Sequence, residues 1–349
     1  MTRRPSAPVR AGLALSLLAL LLAACSLPAT LPGASRPALT TTTQAPTATC
    51  PLTGAPAPGG AVPQRPALAV KVDNYPQARP QSGLDQADIV FEEPVEGAIT
   101  RFVAVFQCQS APSIGPIRSA RNIDIGILGQ LGSPLLVSVG GITPVLDNIE
   151  HSPITYFDLR TNGSVEQNPP GRFAPYDTYS TSAALWGLDP TDTSPPAPLF
   201  RYSSSPAPGV PAQTIAIPFS ETSNVVWNYN ATLREYQRFY GTDSDLLADG
   251  TQNAAANVVV QFVDLTYGPW VENSEGGLEV QANLYQDASG NAEVFRDGVE
   301  IAGTWQRSAL NEPTQFVSAS GAPIALAPGH TWVELVPNTV TVTAGPGAQ

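Results

Sequence analysis

The run Phe102-Val103-Ala104-Val105-Phe106 constrains the fold more than any other stretch of the chain. Five consecutive apolar residues, rich in β-branched and aromatic side chains, leave no face for water. A strand built from them has to be covered on both sides, as in the middle of a layered sheet. Its neighbours supply partners. Residues 67–72 alternate, with Leu68, Val70 and Val72 on one face, and residues 88–93 read as another strand, joined to 100–106 by a turn at Glu96-Gly97. Past Gly115-Pro116, the spacing of Ile123, Ile127, Leu128 and Leu131 predicts a helix with one apolar side. Residues 135–139 predict a buried strand ending at Gly140-Gly141. Thr143-Pro144 opens a helix carrying Val145, Leu146 and Ile149, and a last short helix over 181–186 stops at Gly187. Strands and helices mix without strict alternation, so the fold class expected here is α+β, a layered mixed α/β domain.

Residues 189–213 hold seven prolines and few apolar residues, which reads as a connection. Beyond it the chain reads as all β, with strands expected at 213–219, 224–228, 233–239, 256–264, 278–284, 292–296, 299–305 and 331–336. Asp297-Gly298 between two of them is a hairpin signal. Trp227, Trp270, Trp305 and Trp332 fall in this half as core residues. The expected organisation is a first domain over 51–188, a connection over 189–213, and a β-rich, mainly antiparallel domain over 214–340. With 349 residues and 42% hydrophobic content, the chain is long enough for two cores.

The N-terminus reads as an export signal over residues 1–24. Arg3, Arg4 and Arg10 precede an apolar stretch from Ala11 to Leu22 that is too short for a comfortable membrane span. Leu22-Ala23-Ala24-Cys25 follows directly and resembles the bacterial lipobox, whose cysteine takes a diacylglyceryl group. Cys25 is therefore the expected lipidation site, and the expected location is the outer face of the cytoplasmic membrane. A second acyl chain on the new N-terminus would complete a stable anchor. Residues 25–50 are rich in Pro and Thr and form an expected tether. Two cysteines remain, Cys50 and Cys108. An even remainder in an exported chain predicts a disulfide, and two cysteines are too few ligands for a metal site.

The formal net charge is −12, and removing residues 1–24 takes away three arginines and no acid, giving −15. Such a chain repels nucleic acid, so no polynucleotide partner is expected. No cofactor or metal is expected either. The only histidines are His151 and His330. Ser138 lacks the Gly-x-Ser-x-Gly setting of a nucleophile elbow. Glu92, Glu93 and Glu96 could supply a pair of catalytic carboxylates, but strand alternation sends Glu92 and Glu93 to opposite faces. Ion pairing to Arg101, Arg118 or Arg121 is the favoured account of these acids. Arg118-Ser119-Ala120-Arg121 is expected to open a helix, where free N–H groups would attract an anion. Internal clamping of Glu93 and Glu96 by the same arginines is an equal alternative.

Several longer motifs carry a resemblance. They include Pro51-Leu52-Thr53-Gly54, Val72-Asp73-Asn74, Ala78-Arg79-Pro80-Gln81-Ser82-Gly83-Leu84 and Glu93-Pro94-Val95-Glu96-Gly97. Ile114-Gly115-Pro116-Ile117-Arg118-Ser119-Ala120-Arg121 continues them, with Trp227-Asn228-Tyr229 and Tyr236-Gln237-Arg238 in the second half. Together they resemble the YerB-like bacterial lipoproteins, whose two domains have no established activity. The resemblance implies an α+β first domain and a β-rich second one. This chain departs from the family pattern at Pro175-Tyr176-Asp177-Thr178-Tyr179-Ser180, where a histidine is replaced, and at Ser138-Val139 before Gly140. Any imidazole-dependent activity would be lost here, which weighs against an enzyme. The functional expectation is a lipid-anchored binding or scaffolding module for a cell-wall polymer or an envelope protein. Its candidate ligand-binding set is Asp73, Asn74, Arg79, Glu93, Glu96, Arg101, Arg118, Ser119 and Arg121. The alternative is an envelope enzyme that cuts a wall polymer with carboxylates.

Overall fold

The structure, a computed structural model, describes residues 48–347. The expected signal segment, Cys25 and most of the tether lie outside the described residues. The architecture is α+β. In chain order the first half contributes β1 (Leu68–Asp73), β2 (Ile89–Val95), β3 (Ile99–Phe106), helix α1 (Ile123–Leu128), β4 (Leu135–Ser138), helix α2 (Thr143–Glu150), β5 (Thr155–Asp158) and helix α3 (Ser182–Trp186). The second half contributes β6 (Val210–Pro211), β7 (Thr214–Pro218), β8 (Asn224–Asn230), β9 (Glu235–Tyr240), β10 (Asp243–Ser244), β11 (Ala254–Ala255) and β12 (Asn257–Val263). It continues with β13 (Leu265–Val271), β14 (Leu278–Ala282), β15 (Ala288–Arg296), β16 (Val299–Arg307), β17 (Gln315–Ser318), β18 (Thr331–Pro337) and β19 (Thr343–Gly345).

An 11-stranded sheet runs β17-β16-β15-β12-β18-β2-β3-β1-β4-β5, with β6 paired to β16. It crosses from one half of the chain to the other at β18 and β2, which run parallel in register from Thr331 opposite Ile89 to Glu334 opposite Glu92. The described residues fall in one compact unit. A 6-stranded sheet, β10-β9-β8-β7-β19 with β11 on β9, packs beside it, while β13 and β14 pair only with each other.

β3 sits between β2 and β1 and is buried on both faces, as its apolar run demands. Phe102, Ala104 and Phe106 point into one core with Leu68, Val70 and Trp332. Val103 and Val105 point into the other with Ala69, Val259 and Val333. The Asp297-Gly298 turn forms as its sequence predicts, both residues at positive φ (54° and 76°), joining β15 to β16. Helix α3 ends at the expected Gly187, its C-cap, and begins one residue later than expected, because Thr181 is the N-cap, its hydroxyl accepting from Ala184 N.

Two local readings change. Residues 118–121 do not open a helix, since α1 starts only at Ile123. Their backbone forms no regular element because neighbouring segments take up its donors: Arg118 N donates to Lys71 O at 2.9 Å and Ala120 N to Gly140 O at 2.8 Å. Ile142, rather than Thr143, is the cap of α2, with Pro144 in its first turn. β5, β13 and β17, and the short β6, β10, β11 and β19, were not foreseen. β13 carries Gly268 and Pro269, which read as a break, and irregular pairing with β14 absorbs them.

Cys50 and Cys108 form a disulfide, with Cα atoms 5.9 Å apart. The proline-rich segment after residue 189 is tied to the body: Tyr202 donates its hydroxyl to Leu52 O at 2.5 Å, and Ser203 N donates to Leu326 O at 2.9 Å.

Candidate functional site

The charged residues of 65–121 sort into separate clusters, because adjacent strand residues face opposite sides of the sheet. On one face Glu92 accepts from Arg238 Nη2 at 2.6 Å, and Arg238 Nη1 donates to Asp245 at 2.8 Å. All three side chains are buried. Arg238 lies among Phe102, Trp227, Tyr240 and Trp332, its guanidinium carbon 4.5 to 5.9 Å from their ring centres. Glu334 faces Glu92 across the β18–β2 ladder and accepts from Trp227 Nε1 at 2.9 Å. Burial, reinforced by the facing Glu92, holds the Glu334 carboxyl well above its ordinary range. This is a carboxyl pair, but both members are sealed from solvent.

On the opposite face Lys71, the chain's single lysine, donates to Asp124 Oδ1 at 2.7 Å and to Glu93. All three are fully buried. One cation among two carboxyl groups leaves one acid in excess. Burial and the nearby Asp124 push the Glu93 carboxyl up to about 8. A folded-state value above the unfolded one makes stability fall as pH rises. Glu93 therefore contributes fully below about 4.5, and that contribution is lost as pH climbs through about 8. Glu93→Gln, which keeps a neutral group in place, is expected to flatten this part of the profile. Urea midpoints of both proteins at about pH 5 and about pH 8 check it. An unchanged decline in the variant would refute the assignment.

A third cluster joins Glu96 to Arg121, which pairs with it through both Nε, at 2.8 Å, and Nη2. Arg101 stands 3.7 Å from the same carboxylate, and Glu272 beside β13 lies 3.5 Å from Arg121. Burial, with Arg121 alongside, lowers the Arg101 pKa to about 10. Glu93 and Glu96 thus have different partners, and Arg121 clamps Glu96 alone of the two.

Within the candidate set, Arg118 and Ser119 beside Asp73, together with Arg79, are partly exposed. Arg118 Nε donates to Asp73 Oδ2 at 2.7 Å, with the Arg118 side chain 26% exposed. Tyr176 lies 6.0 Å from the guanidinium carbon, and Tyr75 stacks on Tyr176 at 6.4 Å between centroids and 11° between planes. Behind them Arg101 Nη1 donates to Ser119 O at 3.2 Å, while Arg101 Nε has no acceptor among the described residues. The Ser119 hydroxyl donates to Val139 O. Arg79 and Asn74 are placed differently. Arg79 donates to Asn74 O and Thr222 O and lies 3.5 Å above the Tyr240 ring, while Asn74 donates to Thr100 at 2.8 Å. They join the two halves of the chain.

Among the described residues neither histidine meets a nucleophile. His330 is partly buried with Nδ1 against Ala87 O, and desolvation of its ring lowers its pKa to about 4. His151 ends α2, bonded to Asp147 O. The Ser138 hydroxyl bonds to Tyr156 and Gly140 O. Sequence reasoning missed Asp124, Arg238, Asp245, Glu272 and Glu334 as partners of this region, and Tyr75 and Tyr176 as its aromatic frame. For Tyr176, its place in the departure from the family pattern was the available signal.

Comparison with known proteins gives a consistent result. Residues 52–193 match the N-terminal domain, and residues 215–333 the C-terminal domain, of a family described as proteins of unknown function, DUF3048. YerB of Bacillus subtilis strain 168, which carries a lipoprotein name, is 27% identical over 310 residues, spanning 85% of this chain and 89% of its own. The crystal structure of Bacillus subtilis YerB superposes with a TM-score of 0.73 at 23% identity, over 85% of this chain and 99% of that one.

Proposed function

The chain belongs to the YerB-like DUF3048 family, and from that premise we propose that it is a lipid-anchored binding module of the cell envelope. In this reading Cys25 carries the lipid, the following residues hold the body away from the membrane, and Arg118 is the contact point. The supporting observation is the Arg118 corner itself: a half-open guanidinium, two stacked tyrosines beside it, and a buried Arg101 with a spare donor behind it. A planar cation framed by aromatic rings suits a carboxylate or phosphate on a wall polymer or partner protein. A carboxylate-based enzyme is less well served. Glu92 and Glu334 are both fully buried, Glu93 is buried against Lys71, and Glu96 is paired with Arg121.

Arg118→Gln tests the contact. Its pair with Asp73 is partly exposed, and Asp73 also accepts from Tyr75 N at 2.9 Å. The stability loss should therefore stay near 1 kcal/mol. Retention on purified cell wall, by contrast, should disappear. A variant that melts much lower yet is retained normally per folded molecule would end the proposal for Arg118. The anchor is tested separately. Cys25→Ser should leave the protein out of the membrane fraction, and lipid-modified variant in that fraction would remove the anchor from the reading.

A further inference from the structure

A second concave region lies far from Arg118 in chemistry. β12, β18 and β2 are neighbouring parallel strands, and their carboxyl ends at Val263, Pro337 and Val95 open onto a cavity of about 670 Å³. Ligands of open sheets gather at the carboxyl ends of parallel strands, and this volume is that of an ordinary small-molecule site. The β2–β3 turn forms one wall and the face of the β13–β14 hairpin another. The lining is mainly aliphatic, with Val95, Ile99, Leu265, Leu278, Val280 and Val340 among its members. Leu278 and Tyr267 are exposed at its mouth.

The charges around it point one way. Among the described residues no lysine or arginine lines this cavity. Glu96 does, but Arg121 and Arg101 already neutralise its carboxylate. Asp264 at the exposed rim has no ion-pair partner among the described residues, and one of its oxygens accepts from Asn338 Nδ2 at 2.6 Å. An aliphatic wall with one free carboxylate at its mouth complements an apolar body that ends in a positive group, and the chain's net charge of −12 adds to the preference.

We propose that this cavity binds an amphiphile with an aliphatic body and a single cationic head, the body lying on Leu278 and Val280 and the head at Asp264. The site is independent of the Arg118 contact. Three probes of equal chain length, dodecylammonium, dodecanol and dodecanoate, should be titrated against the full-length protein by calorimetry at neutral pH, below micelle formation. The ammonium should bind at least about tenfold tighter than the carboxylate, with the alcohol between them. Asp264→Asn should bring the three within about twofold while keeping the alkyl affinity. Leu278→Ser, at an exposed position that the fold does not depend on, should weaken all three by about fivefold or more. Arg118→Gln should change none of these values. Equal or reversed headgroup preference, full affinity in Leu278→Ser, or no binding would overturn the proposal. Binding of zwitterionic phosphatidylcholine vesicles in place of the free ammonium would also overturn it, in favour of a membrane surface.

Discussion

Arg238→Met should destabilise the protein by about 3–5 kcal/mol, the largest single-residue effect expected in the chain. The side chain is fully buried and serves Glu92 and Asp245 directly, with Glu334 close behind Glu92. Methionine fills similar volume, so the loss comes from stranding carboxylates without a counter-charge rather than from a void. Chemical denaturation midpoints measure it. Glu92→Gln in the Arg238→Met background should recover part of the loss, because it removes one of the stranded charges. A loss below about 1 kcal/mol in the single variant would mean that water or protonation already screens the cluster.

Removing the disulfide is the second large effect. Cys50 and Cys108 are 58 residues apart, and cross-linking a loop of that length restricts the unfolded chain by roughly 4 kcal/mol in the entropic account. The Cys50→Ser/Cys108→Ser variant should show a deficit within about 2–5 kcal/mol, and the wild type under a strong reductant should match it. Equal midpoints for oxidised and reduced protein would show that the bridge contributes nothing. The native-state surroundings favour the bridge, because Asp88 accepts from the backbone N–H of Gln107, Cys108 and Gln109 and fixes the segment that presents Cys108.

The elements that the sequence displayed clearly are those whose signal is local. β3 follows from an apolar run, β16 from the Asp297-Gly298 turn, and α3 from Thr181 and Gly187. The pairing of Cys50 with Cys108 followed from elimination among three cysteines. The parallel ladder between β2 and β18 was not legible, since its partners are 242 positions apart and nothing in either strand specifies the other. That one pairing explains most of what was missed at the site. Glu92 could be read as a half of something, but Glu334 reaches it only through the ladder, and Arg238 reaches it only because the second sheet packs on the first. The arginines of 118–121 were misread for the opposite reason. Their residue types suit a helix start, but the carbonyl of Lys71 competes for the same N–H, and the tertiary bond wins.

The covalent bridge also decides how the body would respond to being held by its N-terminal side. A pull arriving along the chain reaches Cys50 first, and from there the bonded path leads straight to Cys108 at the end of β3. Residues 51–107, with β1, β2 and β3 and with Lys71, Glu92 and Glu93, sit in a closed loop outside that path. Tension therefore enters at Cys108, just past the strand with the deepest cover on both faces, and the backbone at Asp73, Glu93 and Glu96 lies outside the covalent path. A reduced molecule would take the same load at Pro51 and pass it along the backbone into β1, so reduction should lower the force at which the sheet begins to open.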